Sequence, residues 1–596
     1  MDIELEKRIN EAMASLQQMA VDDFDYQQMD PVAKMMLVAL VAEAQKIQDY
    51  IDGTTDRIVE RYCADFIPRQ KVEATPAVCL LKPELKPMRD ASTINVGAGT
   101  SFAFKMEGLK QPINYIPIFK TSLLPHKGLF LLTNRLMRNG ERSFNIRFDK
   151  PNHLWVGIQT ETELDNLKGL SLFIKGTQGV VPEHICTIDE KELEFASMLE
   201  LENIEMAEPF DAQQASGQLF SFVQSWKENL LNMDNASLLY ITDDVEDRDM
   251  FKPRAYPRAF QQWLENEVLD CFDPETIWLR LEFPEGYTVP DDCEVVLNAL
   301  PVTNIDVCSL MLTQAQPMQK LQKLDNSFFL RILETSTAAN RQGFGMMGDE
   351  IIVRDFEASC YDNGALYRDV RNLYNHFIDD YYAFVEYNGI KDGETLKQLR
   401  ETINRIGKSV GTQNAKFSFD SGTYVMKNMN QAQLSSSTKV TYITTQGRIG
   451  NAPRAGETMD NRRLPGVEQK VEILVSGMGG CDKATPDERY EQLRYFSLTN
   501  DRLYTRMDVD AFLRKEVIGE FGKEEFRRIF IKTSIGGAGT KSGLRRGLYV
   551  DIEFKDRKNY QHAESIGYDN LIRQKIINKS CIALPIVVTL KNLEDE

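Results

Sequence analysis

Apolar residues recur at Met36, Leu40, Ala44, Ile47, Ile51, Ile58, Tyr62 and Phe66, mostly three and four apart, and so share one face of a helix. Asp30 is suited to cap that helix, Pro31 fits a first turn that has no use for the missing N–H, and Pro68 closes the run. A helix from Pro31 to Ile67 would be about 55 Å long, more than one small core needs, and Gly53-Thr54-Thr55 offers a break into two arms. The stripe therefore needs a partner, either its own domain or another chain. A shorter amphipathic pattern (Ile3, Leu5, Ile9, Met13, Leu16, Met19) lies before it, beyond the acidic turn Asp22-Asp23-Phe24-Asp25. Residues 1–76 thus read as an N-terminal helical region that supplies a bundle.

After Pro76 the period shortens. AVCLLK, TINVGAGTSFAFK, INYIPIFKTSLL, LFLLTNRL, SFNIRFD and LWVGIQT are strand-length runs broken by Gly and Pro, which predicts a β-rich domain over 77–182. Residues 183–334 mix a helical pattern at Ala212–Asn232 with the strand-like LLYIT, WLRLEFPEG and CEVVLNALPVTNIDVCSLML, a mixed α/β domain in which Pro301 sits beside an otherwise buried run. Residues 335–478 read as a second β-rich domain with a helical insert at Ala365–Tyr387 and Glu394–Ile406. Within it Gly447–Arg463 is polar and Gly-rich and is expected to be mobile. In the last stretch, 479–596, Thr485-Pro486-Asp487-Glu488 forms a capping box with Pro at the first helical position, and Thr505-Arg506-Met507-Asp508 opens a second helix in the same way. RRIFIKTSI, GLYVDIEFK, a helix near Ala563–Asn578 and ALPIVVTL follow, giving α-α-β-β-α-β. The fold class expected is multidomain α+β.

Length and charge narrow the function classes. A chain of 596 residues with 42% hydrophobic content supports roughly three to five domains. Its net charge of −19 opposes a primary role on nucleic acid or an anionic membrane. The nine cysteines are scattered singly with no C-x-x-C pair, as in a reducing, cytosolic setting. The first residues, MDIELEKRINEAMASL, show no signal peptide, and the longest apolar run, Met35 to Ala42, is too short to span a bilayer.

Candidate chemistry is sparse. Gly343-Phe344-Gly345-Met346-Met347-Gly348 matches G-x-G-x-x-G, but a strand-like EIIVRDFEAS follows where a dinucleotide fold needs a helix. Gly536–Ser542 resembles a P-loop but lacks the glycine before Lys541, and the strand-like GLYVDIEF follows; a hairpin loop with Arg545 and Arg546 at its base accounts for it. These two loops are the only footing for a cytosolic nucleotide- or ligand-binding enzyme. The acidic run Asp243–Asp249 reads as a solvated loop, since it lacks the spaced Gly and terminal Glu of a calcium loop. No two of the histidines 126, 153, 184, 376 and 562 stand three or four apart, Asp379-Asp380 beside His376 reads as a helix end, and no nucleophile motif is present. No catalytic residue, metal or cofactor is expected.

Two blocks resemble the TssF family of type VI secretion baseplate subunits, relatives of the wedge proteins of contractile phage tails. The first is Asp30-Pro31, the apolar stripe, Ile51-Asp52, Arg57–Tyr62, Phe66-Ile67-Pro68 and Thr75-Pro76. The second is Leu300-Pro301-Val302-Thr303-Asn304-Ile305, then Ala315-Gln316-Pro317-Met318, Leu321 and Phe328-Phe329-Leu330, where Pro301, Val302, Asn304 and Pro317 carry the motif. The tail Gly479–Leu590 resembles the terminal domain of baseplate J-like wedge proteins. Phe328-Phe329 in place of Glu-Tyr, and a loop Gly447–Arg463 without a family counterpart, mark a divergent branch. The resemblance implies a structural subunit, not an enzyme, with two copies joining one TssG-like chain in a wedge. TssK, TssE, spike and sheath components would surround it, in a cytoplasmic baseplate docked at the inner-membrane complex. It favours a second chain as the partner of the stripe, with Met36, Leu40, Ile47, Ile51, Ile58, Tyr62 and Phe66 at the interface. A phage-like tail wedge protein is the alternative within the same resemblance.

Overall fold

A computed structural model describes, with short gaps, residues 73–210, 237–244, 251–342, 351–356, 422–427 and 437–593, with parts of 30–41 and 398–405 and the single residues Ile67 and Trp226. The pattern before Asp30, most of the helices expected at 212–232, 365–387 and 394–406, and the stripe from Ile47 to Phe66 lie outside the described residues. The chain divides into two compact units. One comprises Met1–Ala212, Gln218–Asp306 and Thr445–Glu596, and the other Gln213–Gly217 and Val307–Thr444. The described part is an α+β chain of several sheets.

At the heart of the first unit is a closed barrel, in the order Val78–Lys82, Leu300–Thr303, Ile113–Pro117, Phe102–Phe104, Thr458–Asn461, Lys470–Met478. Its interior is filled by Cys79, Leu81, Phe102, Ile113, Tyr115, Leu300, Val302, Met459, Val471 and Ile473, all fully buried, so it is a packed core and not a pore. Leu80 faces Pro301 and Val78 faces Met478 across the ladders, so strands from the stretches 77–182, 183–334 and 335–478 meet in one sheet.

The same unit holds a two-sheet sandwich. A seven-stranded sheet (Glu192–Leu193, His184–Thr187, Thr276–Glu282, His153–Gln159, Gly128–Leu132, Leu136–Asn139, Arg142–Asn145) lies against a four-stranded one (Phe195–Ser197, Ser237–Ile241, Ser171–Lys175, Glu294–Leu297). Alternation sends Leu154, Val156, Ile158, Ile277, Leu279 and Leu281 inward to meet Leu172, Ile174, Leu239, Ile241 and Leu297. The opposite face carries Trp155 and Trp278, roofed by the 3₁₀ helix Arg258–Gln262 and the short helix Asn266–Leu269 through Phe260, Leu264, Leu269 and Phe272. Gly157 marks a close approach on this face: a Cβ there would lie 2.7 Å from the Trp278 ring, which stacks on Phe130 with 5.9 Å between centroids.

The C-terminal module follows its local signals. Thr485 takes the Glu488 amide and Glu488 returns to the Thr485 amide at 2.7 Å; Thr505 and Asp508 repeat the exchange at 3.2 and 2.8 Å. These boxes open the helices Pro486–Thr499 and Arg506–Phe521. The hairpin Ile529–Thr540 and Gly543–Phe554 pairs antiparallel, and Ile586–Asn592 adds parallel to Gly543–Phe554 after a helical crossover. The crossover is two helices, Arg557–Ser565 and Tyr568–Lys579, and not the single one expected: Gly567 lies between them at φ +61°, a left-handed turn that cannot continue a helix. Tyr495, Phe512, Val517, Val550, Ile552, Phe554, Tyr568, Ile572 and Ile576 form the core, and Ile67, one residue beyond the apolar stripe, is buried in it.

In the second unit, strands Asp306–Leu312, Thr438–Thr445, Phe328–Thr337 and Arg341–Gln342 form one sheet, and Met318–Lys320, Gly422–Lys427 and Ile351–Phe356 form another. Leu312, Leu321, Ile351, Val425, Val440 and Tyr442 are buried there.

Candidate partner interface

The described part of the N-terminal helix begins as its sequence demands. Asp30 Oδ1 accepts the Val32 amide at 2.7 Å, and Val32, Met35, Met36, Ala39, Leu40 and Val41 are helical. Met36 is 68% exposed and Leu40 69%, with Val32 and Met35 beside them, whereas Val41 is buried. Four large apolar side chains in the first turns thus face solvent, which is unfavourable for an isolated surface and expected of one that another surface covers. Of the predicted interface residues, Met36 and Leu40 are on that face; Ile47, Ile51, Ile58, Tyr62 and Phe66 lie outside the described residues.

Pro301, Val302 and Asn304 are brought together on one barrel strand and its exit. Pro301 is buried at the end of the ladder to Ile113–Pro117, where only Val302 and Thr303 pair, and its carbonyl accepts the Ile118 amide at 3.1 Å. Asn304 is completely buried. Its amide nitrogen donates to the Asn114 carbonyl at 2.9 Å and to Gln446 Oε1 at 3.2 Å, while its Oδ1 accepts from the Gln446 amide and the Thr445 hydroxyl, both at 3.0 Å. Its own amide donates to the Ala77 carbonyl at 2.8 Å. Pro317 belongs to the second unit, where its carbonyl accepts the Lys427 amide at 2.8 Å.

The segment Gly447–Arg463 is not a mobile loop. Gly447–Asn451 is a 3₁₀ turn keyed into the barrel, and Thr458–Asn461 is one of the barrel strands. Gly450 is needed because a Cβ would lie 2.7 Å from Asn304 Oδ1 and 2.9 Å from the Ala77 side chain. The Gly450 carbonyl accepts the Tyr115 hydroxyl at 2.6 Å, and burial pushes that phenol well above its ordinary range, so it remains a donor. Arg448 reaches from the same turn to the last helical carbonyls, Gly519 and Glu520, of Arg506–Phe521, a cation on the negative end of a helix that ties barrel to C-terminal module. Polar, Gly-rich composition suggested mobility, but the glycines mark close approach. A buried-type run LPVT ending in Asn was the available signal that polar partners would converge there.

Of the two loops considered for phosphate binding, Gly536–Ser542 does not acquire that geometry. Gly536–Thr540 is strand, paired residue for residue with Gly543–Gly547, and no helix follows it. Gly343–Gly348 lies outside the described residues, as do His376, Asp379 and Asp380. Of the acidic run, Asp244 pairs with Lys168 at 2.9 Å, and its latter part is outside the described residues. Among the described residues no group of three His, Cys, Asp or Glu side chains is placed to hold a metal ion.

No protein-family model matches the sequence, and neither does any curated protein. The fold is similar to a chain of a type VI secretion system TssK-TssF-TssG baseplate subcomplex, with TM-score 0.40 and 13% identity, over 95% of this chain and 97% of that one. It is also similar to a chain of the baseplate complex from the type VI secretion system, with TM-score 0.30 and 10% identity, over 95% and 89%. At these values the likeness sets no function for the chain.

Proposed function

We propose that the chain is a structural subunit of the baseplate wedge of a type VI secretion machine, held to its neighbours through the helix that starts at Asp30. The observation that carries this reading is the exposed apolar face of Val32, Met35, Met36 and Leu40 on a capped helix. Burying such a side chain contributes about 1.5–3 kcal/mol, so four of them supply a bundle contact of useful strength. The motif residues quoted for the family resemblance support the same reading: Pro301 and Asn304 build the barrel that would keep the helix on a rigid base. In this reading two copies join one TssG-like chain in the wedge, TssK and TssE attach to it, and spike and sheath assemble around it. The baseplate would stand in the cytoplasm at the inner-membrane complex. The role is one of scaffolding and assembly, with no catalytic step. Co-expression with a TssG-like chain and weighing of the purified complex tests it: two copies to one is expected, and a chain that stays unbound in that mixture refutes it.

A further inference from the structure

On the outer face of the seven-stranded sheet lies a cleft of about 820 Å³ lined by Trp155, Arg254, Tyr256, Arg258, Trp263 and Arg280 among others. Trp155 and Arg280 are directly opposed on neighbouring strands, and the Arg280 guanidinium sits over the Trp155 ring at 5.5 Å. Arg254, Tyr256 and Arg258 follow at alternate positions of the segment that enters the 3₁₀ helix Arg258–Gln262, and that segment is held beside the sheet by the Arg254 amide on the Thr276 carbonyl at 2.8 Å. Trp263 caps the helix and is 54% exposed.

The charges here run against the rest of the molecule. Three guanidinium groups gather at one cleft of a chain whose net charge is −19. Two carboxylates share the lining, but Asp149 is occupied by the His153 ring and the Trp155 indole N–H, both at 2.8 Å, which leaves Glu190. Arg280 pairs with Glu282 at 2.6 Å, and among the described residues Arg258 makes no ion pair. Solvent-facing Trp with Tyr and Arg is the composition of protein–protein hot spots, and planar guanidinium forks suit carboxylates in pairs.

We infer that this cleft is a docking site for an acidic peptide segment of a partner chain, its carboxylates taken by Arg258 and its backbone laid over Trp263. The inference is independent of the baseplate reading. Hexaglutamate is the probe, titrated into the full-length chain by calorimetry and by tryptophan fluorescence. Saturable binding is expected, weakened about tenfold by Arg258→Glu and by Trp263→Ala, and untouched by Arg573→Glu, an exposed residue of the helix Tyr568–Lys579 that does not line the cleft. Both cleft variants change exposed side chains, and unaltered melting curves confirm that they fold. Equal weakening by Arg573→Glu would mean general charge attraction and overturn the proposal. So would absence of saturable binding, displacement of the peptide by an equal concentration of inorganic phosphate, or self-association of the chain that the same cleft variants abolish.

Discussion

Replacing Asn304 by alanine is the sharpest test of how the barrel is held. The side chain is fully buried and serves four partners, the Asn114 carbonyl, Gln446 Oε1, the Gln446 amide and the Thr445 hydroxyl. Each buried group left without a partner costs about 1–3 kcal/mol. The Thr445 hydroxyl loses the acceptor of its proton but can rotate, and the Gln446 side chain can turn, so two fixed backbone groups, the Asn114 carbonyl and the Gln446 amide, bear most of the loss. With the small cavity added, the expected destabilisation is about 3–5 kcal/mol. A chain of several domains does not unfold in one step, so the loss is read by native-state hydrogen exchange of Val78–Lys82 and Lys470–Met478 in urea. Those amides should lose protection while Gly422–Lys427 in the other unit keeps it. A loss below about 1 kcal/mol, or one spread evenly over both units, would refute the role assigned to Asn304. Asn304→Asp adds a sign. A carboxylate keeps the two acceptor contacts but meets two oxygens where the amide donated, so its folded pKa rises above the unfolded value. The deficit should be full at neutral pH and shrink as pH falls through the folded pKa.

Other expectations follow from the same geometry. Met36→Asp or Leu40→Asp should change the stability of the free chain by no more than about 0.5 kcal/mol, since both sites are exposed, yet abolish the co-purified complex; equal loss of melting temperature in the free chain would contradict this. Gly157→Ala forces a methyl into the Trp278 ring and should cost about 1–3 kcal/mol with a change in tryptophan fluorescence. Burial alone would raise the Glu516 carboxyl, but the Lys515 and Lys575 ammonium groups at 2.8 and 2.7 Å outweigh it and hold the carboxyl far below the usual range. Its contribution is therefore present above the unfolded value of about 4.3 and lost as pH falls toward the folded one; Glu516→Gln should lower stability at pH 7 by about 3 kcal/mol and flatten the acid limb of a pH–melting curve. Arg448→Ala should cost about 1–2 kcal/mol and raise exchange at the end of Arg506–Phe521, by removing the cation from that helix terminus.

The sequence alone determined what is local. Helix starts at Asp30, Thr485 and Thr505 were legible because a cap and its helix lie within a few residues, and the structure carries the corresponding hydrogen bonds at all three. The two strands of the hairpin Ile529–Phe554 were legible from runs of strand character on either side of Gly-rich residues, but those glycines, read as the loop, continue the strand as far as Thr540. What the tertiary structure decided is everything that joins residues far apart. Leu80 meets Pro301 and Val78 meets Met478, and no periodicity states which strand will pair with which across hundreds of residues. For the same reason Gly447–Arg463 looked like a mobile loop: composition records that glycine is present, while only the fold shows Asn304, Ala77 and Tyr115 crowding against it. The arginine cleft is likewise invisible in a chain so acidic overall. Cross-strand register sets Arg280 on Trp155, and the turn before Arg258 brings the other cations beside them, a grouping that exists only once the sheet has formed.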